Sequence, residues 1–285
     1  MEATVETSRY FIPDPEHQTL STIQKDEDDI FELELKDKIQ LTHDTYRIVF
    51  KLPDENHVLG LNLCGHISFH NTDADGKQYT RKYTPVSLVN ERGTVSFVIK
   101  IYRKCDEFIN GGKMSQSLES YSIGDKVKME GPFGQLSYLG HSNFLIRKKP
   151  VKKTRLGLIA AGTGITPIYS IVQASTLAQD GLEMSMIYSN KTLDDILLKE
   201  DLDNLVSQNK DKLSLYHTLT RHNEEKDGKW DGLTGRVNAE MLKQCKFPEP
   251  SEETLIVFCG PLALGKMMEE TLLALGYTKD MIYKF

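Results

Sequence analysis

The cysteines of this sequence lack pairing. The 285-residue chain has four, Cys64, Cys105, Cys245 and Cys259, with no Cys-x-x-Cys and no histidine cluster at zinc-ligand spacing. That argues against a disulfide framework and a structural metal, and for a reducing compartment. Long apolar runs are missing too. The N-terminus is polar, is broken by Pro13 and Pro15, and has neither a signal-like apolar core nor a span-length segment. Residue 2 is Glu, so the glycine needed for myristoylation is absent. The expectation is a cytoplasmic protein, or one held at the endoplasmic reticulum or a mitochondrial membrane through a partner or an unseen anchor. Positive charge is not in excess, because 35 Lys and Arg face 41 Asp and Glu, a net charge of −6. That excludes a nucleic-acid binder held by bulk electrostatics, although a local basic patch can still steer an acidic protein. Internal repeats and low-complexity tracts are also absent.

What remains is a globular balance, 39% hydrophobic and 27% charged, over a length that suits two domains. Residues 1–29 read as an N-terminal arm ending in the acidic run Asp26-Glu27-Asp28-Asp29, expected to be a solvated tail. Residues 30–146 read as short strands. Phe31, Leu33 and Leu35 alternate with polar residues, as do Tyr46, Ile48 and Phe50, the stretch 66–70, and the stretch 95–102. Turn signals at Asp75-Gly76, Arg92-Gly93 and Gly124-Asp125 separate them, which indicates an antiparallel barrel or sandwich, with one short helix at 115–121. Residues 147–155 carry six basic residues and a proline and read as a linker. From 156 to 285 apolar strands alternate with helical segments: strands at 156–160, 184–188, 213–219, 254–259 and 281–285, and helices from the Gly162–Gly164 region to 178, at 196–208, at 238–245 and at 263–275. This is the pattern of an α/β domain with a doubly wound parallel sheet.

Four motifs carry chemistry. Ala160-Ala161-Gly162-Thr163-Gly164-Ile165-Thr166-Pro167 lies between a strand and a helix. Its glycines let the backbone approach a pyrophosphate, and the helix start offers free N–H groups. Pro167 replaces the usual third glycine and is tolerated in a first helical turn. Arg81-Lys82-Tyr83-Thr84-Pro85-Val86-Ser87 ends a strand. A guanidinium can clamp phosphate and a tyrosine can wall a flat ring, although a plain proline turn explains the same composition. Gly111-Gly112-Lys113-Met114-Ser115 opens the short helix as a second anion cradle. Cys259-Gly260-Pro261 follows the last long strand, at the carboxyl edge where ligands bind in open α/β sheets.

The order of these motifs, from the strand-rich half into the alternating half, resembles the ferredoxin-reductase-like flavoproteins and, within them, the NADH-cytochrome b5 reductases. The likeness spans residues 30–285. It is supported by His57-Val58-Leu59-Gly60-Leu61, by GGKMSQSLE at 111–119 and by Asp195-Ile196-Leu197-Leu198. It implies an FAD-binding antiparallel β-barrel domain at 30–146 and an NAD(P)-binding domain at 156–285. It implies that Arg81 and Ser115 hold the FAD pyrophosphate beside Gly112, Lys113 and Met114. Tyr83 and Thr84 would lie against the flavin ring, with Ser87 supporting the turn. Val98, Lys100 and Tyr102 share one strand face and become FAD contacts. Thr166 would stand at the hydride-transfer edge. Gly162, Thr163, Gly164 and Pro167 would shape the coenzyme cleft, and Cys259, Gly260 and Pro261 would border the nicotinamide. Tyr283 and Phe285 would cap the cleft or simply close a buried strand.

The implied activity is hydride transfer from NADH to FAD, then single electrons to cytochrome b5 or a similar acidic one-electron acceptor, which Lys113 would help to meet. NADH-using relatives carry an acid where this chain has Thr220-Arg221, so NADPH use is also expected. Two alternatives stay open: a reductase with a quinone or another redox-protein acceptor, and an FAD- or nucleotide-binding structural subunit of a larger redox assembly.

Overall fold

The computed structural model describes residues 9–73, 75–106 and 109–285. It divides into two compact units, one containing the described residues up to Leu139 with Leu145–Lys149, the other Gly140–Phe144 with Pro150–Phe285.

The first unit is built on β1 (Ile30–Thr42), β2 (Thr45–Lys51), β3 (His66–Thr72), β4 (Gln78–Tyr83), β5 (Thr94–Lys100) and β6 (Lys126–Phe133), with helix α1 (Lys113–Ser120) before β6. The paired strands are antiparallel, in the order β4-β3-β6-β1-β2-β5. In hydrogen bonding the expected barrel is therefore an open sheet with β4 and β5 at its edges. The β4–β5 connection includes Pro85, which has no N–H to donate. It docks instead through Val86 N–H to the Ser96 carbonyl (2.9 Å).

Alternation sorts the side chains as expected. Phe31, Leu33, Leu35, Ile48, Phe50, Ile67, Phe69, Phe97 and Ile99 form one core. In it Phe69 meets Phe97 and Phe50 edge-on, with centroids 5.0 and 5.6 Å away. The strand expected to reach Tyr102 stops at Lys100, because the Tyr102 backbone bonds to the α1 loop instead: its N–H donates to Ser115 Oγ and its carbonyl accepts from Gly112.

The acidic run Asp26-Glu27-Asp28-Asp29 is exposed as expected, but the described residues before it are not a solvated tail. Phe11 is 1% exposed and lies edge-on to the buried Tyr138, with centroids 5.2 Å apart. The Asn90 amide donates to the Arg9 and Ile12 carbonyls and accepts from Asp14 N–H. Arg92 pairs with Asp14 at 2.7 Å. Thr19 and Leu20 N–H bond to the Val58 and Leu59 carbonyls. All of these partners lie 39 or more residues away along the chain, so composition alone gave no sign of them.

A three-stranded sheet follows, β7 (Leu136–Gly140), β8 (Asn143–Ile146) and β9 (Lys149–Lys152). The basic stretch read as a linker is thus largely strand. Arg147 and Lys148, at φ 48° and 66°, form the tight β8–β9 turn, and hairpins of this kind need positive φ at both central residues.

The second unit contains β10 (Arg155–Ala161), α2 (Ile165–Ala178), β11 (Glu183–Asn190), α3 (Lys199–Gln208), β12 (Leu213–Leu219), β13 (Leu233–Thr234), α4 (Ala239–Gln244), β14 (Thr254–Cys259), α5 (Leu262–Ala274) and β15 (Ile282–Lys284). Its sheet is parallel throughout, in the order β13-β12-β11-β10-β14-β15. Ile159, Ile187 and Phe258 pack beneath α4 and α5 with Met241, Met268 and Leu272. Helix α3 begins three residues later than its periodicity suggests. A capped turn, in which the Thr192 and Asp195 side chains each bond the other's backbone, precedes it, and Leu198 is left-handed at φ 55°. Strand order reverses between β10 and β14, and ligands of such sheets bind at the carboxyl ends flanking that reversal.

Candidate active site

In the first unit the candidate residues gather along the β4 edge and the start of α1. Arg81 is exposed on β4, opposite Phe69 of β3, and its guanidinium donates to the Thr80 carbonyl (2.7 Å). Tyr83 ends the strand with its ring 4.8 Å from Phe69, and burial pushes its phenol pKa upward. Thr84 is half-buried beside it. Ser87 Oγ accepts from Ser96 N–H at 3.1 Å, pinning the turn to β5.

Helix α1 is fastened to the β3–β4 hairpin. Asn71 donates to Ser117 Oγ and to the Tyr121 hydroxyl, and Lys113 pairs with Asp73 at 2.7 Å. The Lys113 charge is therefore answered locally. Gly112 caps α1 without any side-chain bond to the helix N–H groups. A Cβ on Gly111 would lie 2.6 Å from the Tyr102 carbonyl, and one on Gly112 would lie 2.7 Å from Ser115 Oγ.

Four candidates, Ser115, Met114, Val98 and Lys100, are buried or already bonded within the protein. The Ser115 hydroxyl is buried, donating to the Gly112 carbonyl while accepting from Tyr102. The Met114 side chain lies in the hydrophobic core, so it can offer a ligand only its backbone. Val98 is 2% exposed. Lys100 pairs with Asp44 at 2.9 Å, and Tyr102 is half-buried at the strand exit.

In the second unit the Gly162–Gly164 loop and Cys259-Gly260 meet at the strand-order reversal. Gly162 is left-handed (φ 53°) and its missing Cβ faces open space. A Cβ on Gly164 would be 2.8 Å from Gly260 N and closer still to the Cys259 carbonyl oxygen, and one on Gly260 would be 2.9 Å from Ala161 Cβ. Only hydrogen at position 164 lets the two strand ends approach this closely. No side chain caps α2. Thr163 is half-buried, Thr166 Oγ1 donates to its carbonyl (3.3 Å), and Pro167 is buried in the first turn. Gly260 and Pro261 are exposed. Burial raises the Cys259 thiol pKa to about 12, so this group is a neutral thiol rather than a nucleophile.

Thr220 and Arg221 are exposed two strands away. Both the N–H and the hydroxyl of Thr220 bond to the Asn190 carbonyl, and Arg221 N–H bonds to that of Lys191. Two cationic residues, Lys191 and Arg221, thus flank Thr220. Tyr283 is buried in β15 with its ring 5.1 Å from Phe285, and Phe285 N–H bonds to the Phe258 carbonyl.

The sequence reading passed over Tyr188, Asn190 and His217. All three sit near the carboxyl edge of β11 and β12, Tyr188 and His217 inside segments read as strand and Asn190 just beyond the strand read at 184–188. Both polar side-chain atoms of Asn190 and both ring nitrogens of His217 are buried without a hydrogen-bond partner. Strand alternation puts Tyr188 and Asn190 on one face, which was the available signal.

Desolvation pulls the His217 pKa down to about 4, against a smaller upward pull from Asp203, and Lys199 pulls further down. Between its unfolded value near 6.5 and about 4, the unfolded chain binds the extra proton. The contribution of this residue is complete above about pH 6.5 and is lost as pH falls toward 4, on the order of 3 kcal/mol in all. Urea unfolding of the wild type and His217→Phe at pH 7 and pH 4.5 checks this. The stability gap between the two pH values should be smaller in the variant, and an equal gap would refute the assignment.

FAD requires a cation and free N–H donors for its pyrophosphate and an aromatic wall for its ring. The exposed Arg81, the uncapped start of α1, the glycine cradle against Tyr102, and Tyr83 are of that kind, so these residues fit FAD.

The architecture and both cradles define a flavin- and nicotinamide-dependent oxidoreductase. The family model for an oxidoreductase FAD-binding domain matches residues 32–138, and that for an oxidoreductase NAD-binding domain matches residues 158–270. NADH-cytochrome b5 reductase 2 of Rattus norvegicus and that of Homo sapiens are each 37% identical to the chain over 265 residues, covering 90% of it and 94% of the relative. The cytochrome b5 reductase domain of Ulva prolifera nitrate reductase superposes with a TM-score of 0.84 at 28% identity, covering 92% of this chain and 99% of that one. The chain belongs to the NADH-cytochrome b5 reductase family of flavoproteins. Its cofactors are FAD and NADH. Among the described residues no helix is long and apolar enough to cross a membrane.

Proposed function

We propose that this chain draws reducing equivalents from NADH and delivers electrons singly to cytochrome b5 or a comparable acidic one-electron acceptor, in the cytoplasm or peripherally at the endoplasmic reticulum or a mitochondrial membrane. The observation that carries the reading is the close approach of Gly164 to Cys259 at the strand-order reversal, where a coenzyme of this class is received. Bound FAD supplies the conversion of a two-electron donor into a one-electron source.

The chain's own residues bind and orient. Arg81 and the first N–H groups of α1 take the FAD pyrophosphate. Tyr83 and Thr84 border the ring, and Ser87 holds their turn through its bond to Ser96. The Gly162–Gly164 loop and the start of α2 receive the coenzyme pyrophosphate. Thr166 and the neutral Cys259 thiol lie on the nicotinamide side. Orienting the bound groups for transfer would be the main catalytic contribution asked of these residues. Purified holoprotein should be yellow and should reduce both ferricyanide and cytochrome b5 with NADH. A yellow protein that reduces ferricyanide but not cytochrome b5 points to a quinone or another redox protein as acceptor. A colourless, inactive one points to a structural subunit.

The surroundings of Thr220 favour a second element of this reading. A carboxylate there would repel a 2′-phosphate, whereas the neutral Thr220 next to the cationic Arg221 does not. NADPH should therefore support measurable turnover, and Thr220→Asp should lower kcat/KM for NADPH by about tenfold or more while sparing NADH. A wild-type enzyme unable to use NADPH would refute the assignment.

A further inference from the structure

Tyr188 is fully buried on β11. Its hydroxyl donates to the Gly162 carbonyl at 3.2 Å and accepts the Leu197 N–H at 3.2 Å. The Gly162 carbonyl also accepts from Ile165 N–H at the start of α2. The carbonyl that shapes the glycine loop is thus held both by the helix it opens and by a side chain from the neighbouring strand. Leu197 lies in the segment that follows Lys191, so one hydroxyl joins the loop to the chain leaving β11. The left-handed Gly162 has no side chain of its own to limit the loop. His217, the register partner of Tyr188, backs the phenol with its ring centroid 5.8 Å away.

We propose that Tyr188 is a positioning residue for the nicotinamide coenzyme: its hydroxyl fixes the Gly162 carbonyl so that the N–H groups after it face the pyrophosphate, and it thereby sets coenzyme affinity without touching the coenzyme. The proposal rests on the reading that the pyrophosphate lies at the Gly162–Gly164 loop. The contact is made in ground state and transition state alike, so its loss raises KM and leaves kcat nearly unchanged.

The test uses the full-length, FAD-loaded protein. Tyr188→Phe removes one oxygen and keeps the ring. It should raise KM for NADH about three- to tenfold, the range expected for one hydrogen bond, with kcat within about twofold. Calorimetric titration with NAD+ should show the same factor in Kd. The melting temperature should fall as well, because Leu197 N–H loses its acceptor, but a purely structural role would move only that temperature. Gly162→Asn, which tolerates the left-handed backbone and fills the open space, serves as the reference and should weaken NAD+ binding. If Gly162→Asn weakens binding while Tyr188→Phe leaves both KM and Kd within twofold of wild type, the positioning role is wrong and the loop reading survives. If neither variant changes NAD+ binding, both fall. A loss of kcat at unchanged KM in Tyr188→Phe also overturns the proposal.

Discussion

Gly164→Ala is expected to lower kcat/KM for NADH at least about 100-fold while leaving the flavin bound. The added Cβ would overlap backbone, the Cys259 carbonyl and Gly260 N, rather than the tip of a flexible side chain. The strand ends of β10 and β14 must then move apart, and both carry residues assigned to the coenzyme. Displacing a reacting group by about 1 Å costs on the order of 100-fold in rate. Overpacking adds about 1–3 kcal/mol of destabilisation. The first unit has its own core, so flavin content should persist. Stopped-flow bleaching of the flavin by NADH, with dithionite as the control reductant, separates the two effects. Efficient bleaching by NADH in the variant would show that the Gly164–Cys259 approach does not matter for the coenzyme.

That contact illustrates what the sequence can and cannot reveal. The two segments carrying it, Gly162–Gly164 and Cys259-Gly260, were each legible as the loop after an apolar strand. Strands β12 and β14 have the bounds read from the sequence, because each is an apolar run with turn residues on both sides. Their meeting depends on strand order, which places β14 beside β10 although 93 residues separate Ala161 from Thr254, and no local pattern encodes that. Met114 shows a different limit. The motif Gly-Gly-Lys-Met-Ser announces a helix start, but the four-residue spacing of Met114 and Leu118 puts both on one helix face, and both are buried in the core. The family likeness implied Ser115 as a pyrophosphate ligand, and nothing in the sequence signalled that its hydroxyl also bonds Tyr102 N–H and the Gly112 carbonyl. Tyr188 was hidden by its own hydrophobicity, since within an apolar strand a tyrosine reads as core until the partner of its hydroxyl is known. In the basic hairpin, charge suggested a loop and concealed the strand pairing.

Phe11→Ala is expected to destabilise the first unit by about 3–5 kcal/mol, the range for removing a buried aromatic ring. The ring is 1% exposed and stands edge-on, at 81°, to the fully buried Tyr138, a geometry favourable beyond the area it buries. Truncation leaves a cavity against Tyr138 that the surroundings fill poorly, because Asn90 holds the backbone on either side of Phe11 and Arg92 pairs with the Asp14 carboxylate. The loss belongs to the unit assigned to FAD. Flavin fluorescence, which rises on release, should therefore report it in urea at a lower midpoint than in the wild type. Asn90→Ala removes the bonds to Arg9, Ile12 and Asp14 while leaving the ring, and should cost less, about 1–3 kcal/mol. Near-additive losses in the double variant would mean that ring and clamp act independently, whereas a combined loss well below the sum would mean that the clamp works by holding Phe11 in place. An unchanged midpoint in Phe11→Ala would show that the arm contributes nothing to the fold it lies on. A large shift would make residues before the first strand part of the flavin-binding unit, which places the physical start of that unit at or before Phe11, ahead of Ile30 where strand alternation begins.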